Sequence, residues 1–256
     1  MKIYLKTYIY TKAILYLFFR FLRQRPIKTI RTIFSLERLL GTIWVELNKA
    51  KFDSFINLIG EDKDLLVESK NFEKNFKREK KETIKHLPIS GGLRDSTGGG
   101  GGNEFILYYI VRHLKPNIVL ESGVSAGISS RSILEGLEKN KKGELYSSDL
   151  QLYLDKKDIG ILVTDKLRHR WKLFDKGDEI NLPIILNQIN EIDIVYYDSE
   201  KSYSGKKIFF DRILTNFTPK IIIVDDIDRD YWFRDFTKKN LYDYIVLGNV
   251  GIVFLR

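Results

Sequence analysis

From Asn117 onward the chain alternates short, uninterrupted apolar runs with helical stretches, and this pattern restricts the fold more than any other. The runs are "NIVLES" (Asn117 to Ser122), "ELYSSD" (Glu144 to Asp149), "WKLF" (Trp171 to Phe174), "IDIVYYD" (Ile192 to Asp198) and "KIIIVDD" (Lys220 to Asp226). A strand that is apolar on both faces must be covered on both, and helical connections between such strands make crossovers. The expected fold class is therefore α/β, a doubly wound and mostly parallel sheet. The final stretch "YDYIVLGNVGIVFLR" holds two β-rich runs joined by Gly248 and Asn249, a two-residue hairpin signal. The sheet should end in an antiparallel hairpin.

The 256 residues are enough to bury a full core, and they include no cysteine. Disulfides and thiolate metal sites are excluded, and the cytoplasm is the expected compartment. The net charge of +9 is concentrated at one end. Between Met1 and Leu36 stand eight basic residues and no acidic one, which leaves +1 for the rest of the chain. A nearly neutral body argues against nucleic acid as a partner.

The basic arm, residues 1–34, reads "MKIYLKTYIYTKAILYLFFRFLRQRP" up to Pro26. Its longest uncharged run after Lys12 is Ala13 to Phe19, far short of the roughly 20 apolar residues that a spanning helix needs. On a helical projection Lys2, Lys6, Lys12, Arg20 and Arg23 fall within about 120°, an arc that Leu5, Ile9 and Tyr16 interrupt, with Ile3, Ile14, Phe18, Phe21 and Leu22 roughly opposite. That amphipathic arrangement suits peripheral attachment to an anionic membrane surface, here the inner face, and it equally suits a helix docked on protein.

Residues 35–102 are expected to be helical, and they end in the glycine-rich loop "PISGGLRDSTGGGGGN". The charged stretch "EDKDLLVESKNFEKNFKREKKETIKHLP" has Phe72 and Phe76 four apart, and its charges are expected to form a solvated face. The run Gly98 to Gly102 neither follows a strand nor carries the lysine of a phosphate loop, so it is expected to be a hinge or flap. Asn103 is expected to cap the helix "EFILYYIVRHL". The third unit, residues 103–256, carries the chemistry.

In "VLESGVSAGISSRSIL" (Val119 to Leu134) a strand turns into a helix through Gly123 and Gly127, with Glu121 before them and Ser125 between. Glycine lets backbone turn sharply and approach a ligand closely. The spacing is Gly-x-x-x-Gly, which disfavours the pyrophosphate of a dinucleotide. Asp149, ending the next strand, is placed to accept hydrogen bonds from ribose hydroxyls.

These residues carry a resemblance. From about Asn103 to Phe236, about half the chain, the pieces "EFILYYIVRHLKPNIVLESGVSAGISS", "GELYSSDL", "LRHRWKL", "IDIVYYDSEKSYSG" and "IIIVDDID" resemble the class I S-adenosylmethionine-dependent methyltransferases, in particular the O-methyltransferase-like group called methyltransferase family 24. The resemblance implies a Rossmann-like sheet and an S-adenosylmethionine cofactor. It also implies that Glu121, Gly123, Ser125 and Gly127 form the cofactor loop, that Asp149 holds the ribose, and that Gly177 and Asp178 sit near the adenine. Related enzymes are metal-dependent, which implies that Asp198, Asp225 and Asp226 are ligands to Mg²⁺ or Ca²⁺.

The same three aspartates stand at the ends of successive strands, and carboxylates gathered there repel one another unless something positive lies between them. That positive group is a divalent ion or Lys201; if the aspartates only cap helices, neither is needed. The family commonly reads Asp-Ser-Asp-His-Ser-Tyr where this chain reads "DSEKSY", so Lys201 replaces a histidine. Asp198 and Lys201 are the candidate catalytic pair. His86, His113 and His169 have no visible partner in the sequence and are expected to be structural or exposed.

The activity implied is methyl transfer to an oxygen of a small molecule or glycan precursor. Two alternatives are a membrane-associated S-adenosylmethionine-binding protein without catalysis, and a nucleotide-sugar glycosyltransferase using the Asp-x-Asp of Asp226 and Asp228. The second leaves the Gly123 loop unexplained.

Overall fold

The computed structural model describes residues 36–85, 103–150 and 158–255. The basic arm, the run Gly98 to Gly102 and His86 lie outside the described residues. Three helices, α1 (Leu36–Asn48), α2 (Phe52–Ile59) and α3 (Lys63–Lys85), precede the α/β body. That body opens with α4 (Glu104–Leu114), β1 (Ile118–Ser122), α5 (Ile128–Asn140) and β2 (Glu144–Ser148). It continues with β3 (Trp171–Phe174), α6 (Asp178–Leu186), β4 (Ile194–Tyr197), α7 (Tyr203–Leu214) and β5 (Ile221–Val224). It closes with α8 (Trp232–Asn240), β6 (Asp243–Leu247) and β7 (Val250–Phe254).

The seven strands lie in the order β3-β2-β1-β4-β5-β7-β6. β1 to β5 run parallel, and β7 is antiparallel to both β5 and β6. This is the expected doubly wound sheet with its terminal hairpin, turning through Gly248 and Asn249 between Leu247 and Val250. Alternate side chains of each central strand enter opposite cores. Val119, Ile194, Ile221 and Ile223 join a cluster with Leu107 and Ile110 of α4 and Ile133 and Leu134 of α5. Leu120, Val195, Ile222 and Val224 join another with Leu182 of α6, Phe209 of α7 and Phe233 of α8. Because both faces are covered, these strands are apolar along most of their length, β1 ending in the polar pair Glu121 and Ser122.

The helices before the sheet share its core. Phe55, Ile56 and Leu65 belong to the same cluster as β1 and β4, and the Ala50 amide donates to the Val246 carbonyl at 2.8 Å along the outer edge of β6. Contact there covers backbone that an edge strand would otherwise expose. α3 has a solvated face, as its charge run suggests, but one of its charges, Lys80, lies on the buried side. Phe72 stacks on Tyr108 at 4.3 Å, Phe76 is buried, and the buried Lys80 ammonium meets the Glu104 carboxylate at 2.5 Å. Charged residues at this spacing hide a stripe whose partners come from α4, which local sequence does not reveal.

Candidate active site

At the carboxyl end of β1 the chain turns through Gly123 and Gly127, both with positive φ (+91° and +88°). Backbone elsewhere takes up the space that a side chain would fill. A Cβ on Gly123 would lie 2.6 Å from the Asp198 carbonyl oxygen, and one on Gly127 would lie 2.9 Å from Gly160 Cα. Ser125, between them, also has positive φ (+50°). Strain of this kind, on the order of 1 kcal/mol or more for a non-glycine residue, persists where surrounding structure fixes it. Asp149 is what fixes it here. Its Oδ2 accepts the Val124 and Ser125 amides at 2.6 and 2.9 Å.

Glu121 lies beneath this turn, with no exposed surface. Its carboxylate accepts hydroxyls from Ser129 (2.6 Å), Ser130 (2.7 Å) and Ser147 (2.6 Å). Burial pushes its pKa up to about 7 against those three donors. Glu121 thus ties β1, β2 and α5 together and supports the loop from below, with both oxygens occupied by serines.

The floor beside the loop is polar. Ser122 donates to Asp178 Oδ2 at 2.6 Å, and Asn181 donates to Ser148 Oγ at 2.9 Å and to the Phe174 carbonyl at 3.0 Å. Burial raises the Asp178 carboxyl above its ordinary value, opposed by the hydroxyls of Ser122, Ser148 and Ser199. The ends of β1, β2 and β3 therefore bring Gly123, Ser125, Asp149, Gly177 and Asp178 to one edge. Within it the Ser125 hydroxyl is buried and without a hydrogen-bond partner among the described residues, an exception to the rule that buried polar groups are paired.

The ends of β4 and β5 bring Asp198, Asp225 and Asp226 together next to that floor. Lys201 stands among them. Its ammonium bonds Asp198 Oδ1, donates to the Asp198 carbonyl at 3.1 Å and lies 3.5 Å from Asp226 Oδ2. Arg229 approaches Asp226 at 3.4 Å. Burial would lower the Lys201 pKa, but Asp198 and Asp226 outweigh it and raise the value, so the lysine is held charged. Burial together with the charges of Asp198 and Asp226 pushes Asp225 up to about 8.

Two asparagines complete the cluster, and sequence reading gave them other roles. Asn103 occupies the N-cap position of α4 but makes no side-chain cap. Instead its amide donates to Asp225 Oδ2 at 3.0 Å. Asn249, in the hairpin turn, donates to Asp225 Oδ1 at 3.2 Å and to Asp226 Oδ1 at 3.0 Å. The only sequence signal for either is a residue type that suits turns and caps, and such signals are local. The contacts span 122 and 24 positions.

A divalent ion does not fit the cluster in this arrangement. Lys201 stands between Asp198 and Asp226, and amide donors take oxygens of Asp225 and Asp226. Among the described residues no group of three Asp, Glu, His or Cys side chains is disposed to hold a metal ion. His113 stacks on Tyr109, and His169 is exposed beside Glu138, so neither takes part. No described helix is long and apolar enough to cross a membrane.

No protein-family model matches the chain, and no curated protein matches it in sequence. Solved structures do. The SAH-bound methyltransferase PaMTH1 of Podospora anserina is 18% identical with a TM-score of 0.50, over 83% of this chain and 92% of that one. The cofactor-bound Rv0187 from MTB is 13% identical with a TM-score of 0.51, over 80% of this chain and 95% of that one. The chain has the Rossmann-like fold of the S-adenosylmethionine-dependent methyltransferases.

Proposed function

We propose that the protein is an S-adenosylmethionine-dependent methyltransferase acting on an oxygen of a small molecule or glycan precursor. The observation that carries the reading is the adjacency of two prepared surfaces. The strained Gly123 to Gly127 turn, braced by Asp149 and carrying a Ser125 hydroxyl without a partner among the described residues, lies directly against Asp198 through Gly123. Fold alone does not assign an activity; the residues of this site support one.

The cofactor, when bound, supplies a methyl group on a positively charged sulfur. The residues fit it as follows. Asp149 would hold the ribose hydroxyls, Asp178 and Gly177 would lie near the adenine, and the loop from Gly123 to Ser129 would take the amino-acid portion. Methyl transfer is an in-line displacement, so placing the acceptor and removing its proton are the protein's main tasks. Asp198 is placed to take the acceptor's hydroxyl proton, and the Lys201 ammonium to steady the oxyanion that develops. No step is routed through Mg²⁺ or Ca²⁺.

The arm, residues 1–34, completes the reading as a peripheral attachment to an anionic membrane surface at the cytoplasmic face. Support for that part is its charge and amphipathic spacing. The activity is tested by incubating the full chain with methyl-labelled S-adenosylmethionine and a panel of hydroxylated acceptors. Label transferred to an acceptor by the native protein, and not by Asp198→Asn, is the expected result. Transfer at equal rates by both would contradict the role of Asp198.

A further inference from the structure

α7 carries one residue that the proposed chemistry does not use. Lys206 has no exposed surface, and its ammonium reaches two loops at once. It bonds Asp230 Oδ2 at 2.9 Å and the Lys201 carbonyl oxygen at 3.2 Å. Asp230 is itself buried, and its other oxygen accepts the Trp232 amide at 2.7 Å. The loop after β4, which carries Asp198 and Lys201, is thereby joined to the loop after β5, which carries Asp225 and Asp226. On its far side the second loop is backed by α1, so closely that a Cβ on Gly41 would lie 2.8 Å from the carbonyl oxygens of Asp228 and Asp230.

We propose that Lys206 is a positioning residue that sets the distance between the two loops, and with it the seat of Lys201 between Asp198 and Asp226. The inference rests on the methyltransferase reading of that cluster. A fully buried ion pair is a poor device for stability alone, because desolvating both charges offsets much of their attraction and apolar residues of similar volume often replace such a pair without loss. What apolar residues cannot do is bond a carboxylate on one loop and a carbonyl on the other. Lys206 has the length and the donors for both, and the backing of α1 leaves the Asp230 loop no room to retreat. The strut therefore fixes geometry.

The experiment compares the full chain with Lys206→Met/Asp230→Asn, which removes both charges at similar volume and keeps an acceptor for the Trp232 amide. Amide hydrogen exchange at residues 199–203 and 225–231 should rise at least tenfold, while exchange in α5 and the calorimetric affinity for S-adenosylhomocysteine stay as in the native protein. With a methylated acceptor in hand, kcat should fall at least tenfold with the KM for S-adenosylmethionine unchanged. Should the double variant fail to fold, Lys206→Gln, whose shorter amide cannot reach both acceptors, should give the same local change to a smaller degree. Unchanged exchange in the two loops of a folded variant would overturn the proposal. So would a rise in exchange spread evenly over the protein with loss of S-adenosylhomocysteine affinity. Absence of S-adenosylhomocysteine binding by the native protein would count against the methyltransferase reading and leave the exchange comparison to decide on the strut.

Discussion

Asn249, in the turn of the terminal hairpin, holds the Asp226 carboxylate at 3.0 Å while Asp226 itself sits in the left-handed region at φ +52°. The hairpin is thus part of the acidic cluster as well as the edge of the sheet. Replacing Asn249 with Ala removes the donor to both Asp225 and Asp226, each bond being worth roughly 1 to 3 kcal/mol. Turnover should fall at least tenfold in Asn249→Ala, with S-adenosylhomocysteine affinity retained, as measured by steady-state kinetics and calorimetry.

Glu121 makes stability depend on pH. Its carboxyl titrates at about 7 in the folded protein, against an ordinary value of 4.5. The folded protein keeps a proton there that the unfolded chain has already released, so stability falls as pH rises from about 4.5 to about 7. The loss is on the order of 3 kcal/mol. Denaturant unfolding of Glu121→Gln should show this part of the pH dependence gone. An unfolding midpoint with the same pH slope in both proteins would refute the assignment.

Lys201 and any divalent cation compete for the same carboxylates. In Lys201→Ala the three aspartates lose their counter-charge and the space between Asp198 and Asp226 opens, so Mg²⁺ or Mn²⁺ should bind at least tenfold more tightly than to the native protein. Calorimetric titration of both proteins measures this. Equal affinities would mean that the lysine does not hold the cluster as described.

The arm gives a separate prediction. Deleting residues 1–31 should release the protein from anionic vesicles without altering cofactor affinity, and rising salt should weaken attachment of the intact chain. Cosedimentation of intact and truncated protein to the same extent would favour a helix docked on protein.

What the sequence made legible follows from how far each signal reaches. The strands and the hairpin were readable because apolar runs and the Gly248 and Asn249 turn act within a few residues of themselves. The strand-end aspartates were readable because topology brings strand ends to one edge. Asn103, Asn249, Lys206 and Lys80 were not, since each is locally a cap, a turn residue or a surface lysine and takes its role from a partner far along the chain. The serines around Glu121 show the same limit. Their spacing is helical and ordinary until the fold lowers Ser147 onto the same carboxylate.

On the proposed function, the Gly123 to Gly127 turn and Asp149 form a site for S-adenosylmethionine. Isothermal calorimetry of the full chain tests it most directly, with S-adenosylmethionine, S-adenosylhomocysteine and NAD titrated in turn into the native protein and Asp149→Ala. Binding of the first two and none of NAD is expected, with affinity reduced at least tenfold in the variant, which loses the brace on Val124 and Ser125 and the carboxylate proposed to hold the ribose. Heat with NAD and none with S-adenosylmethionine would contradict it.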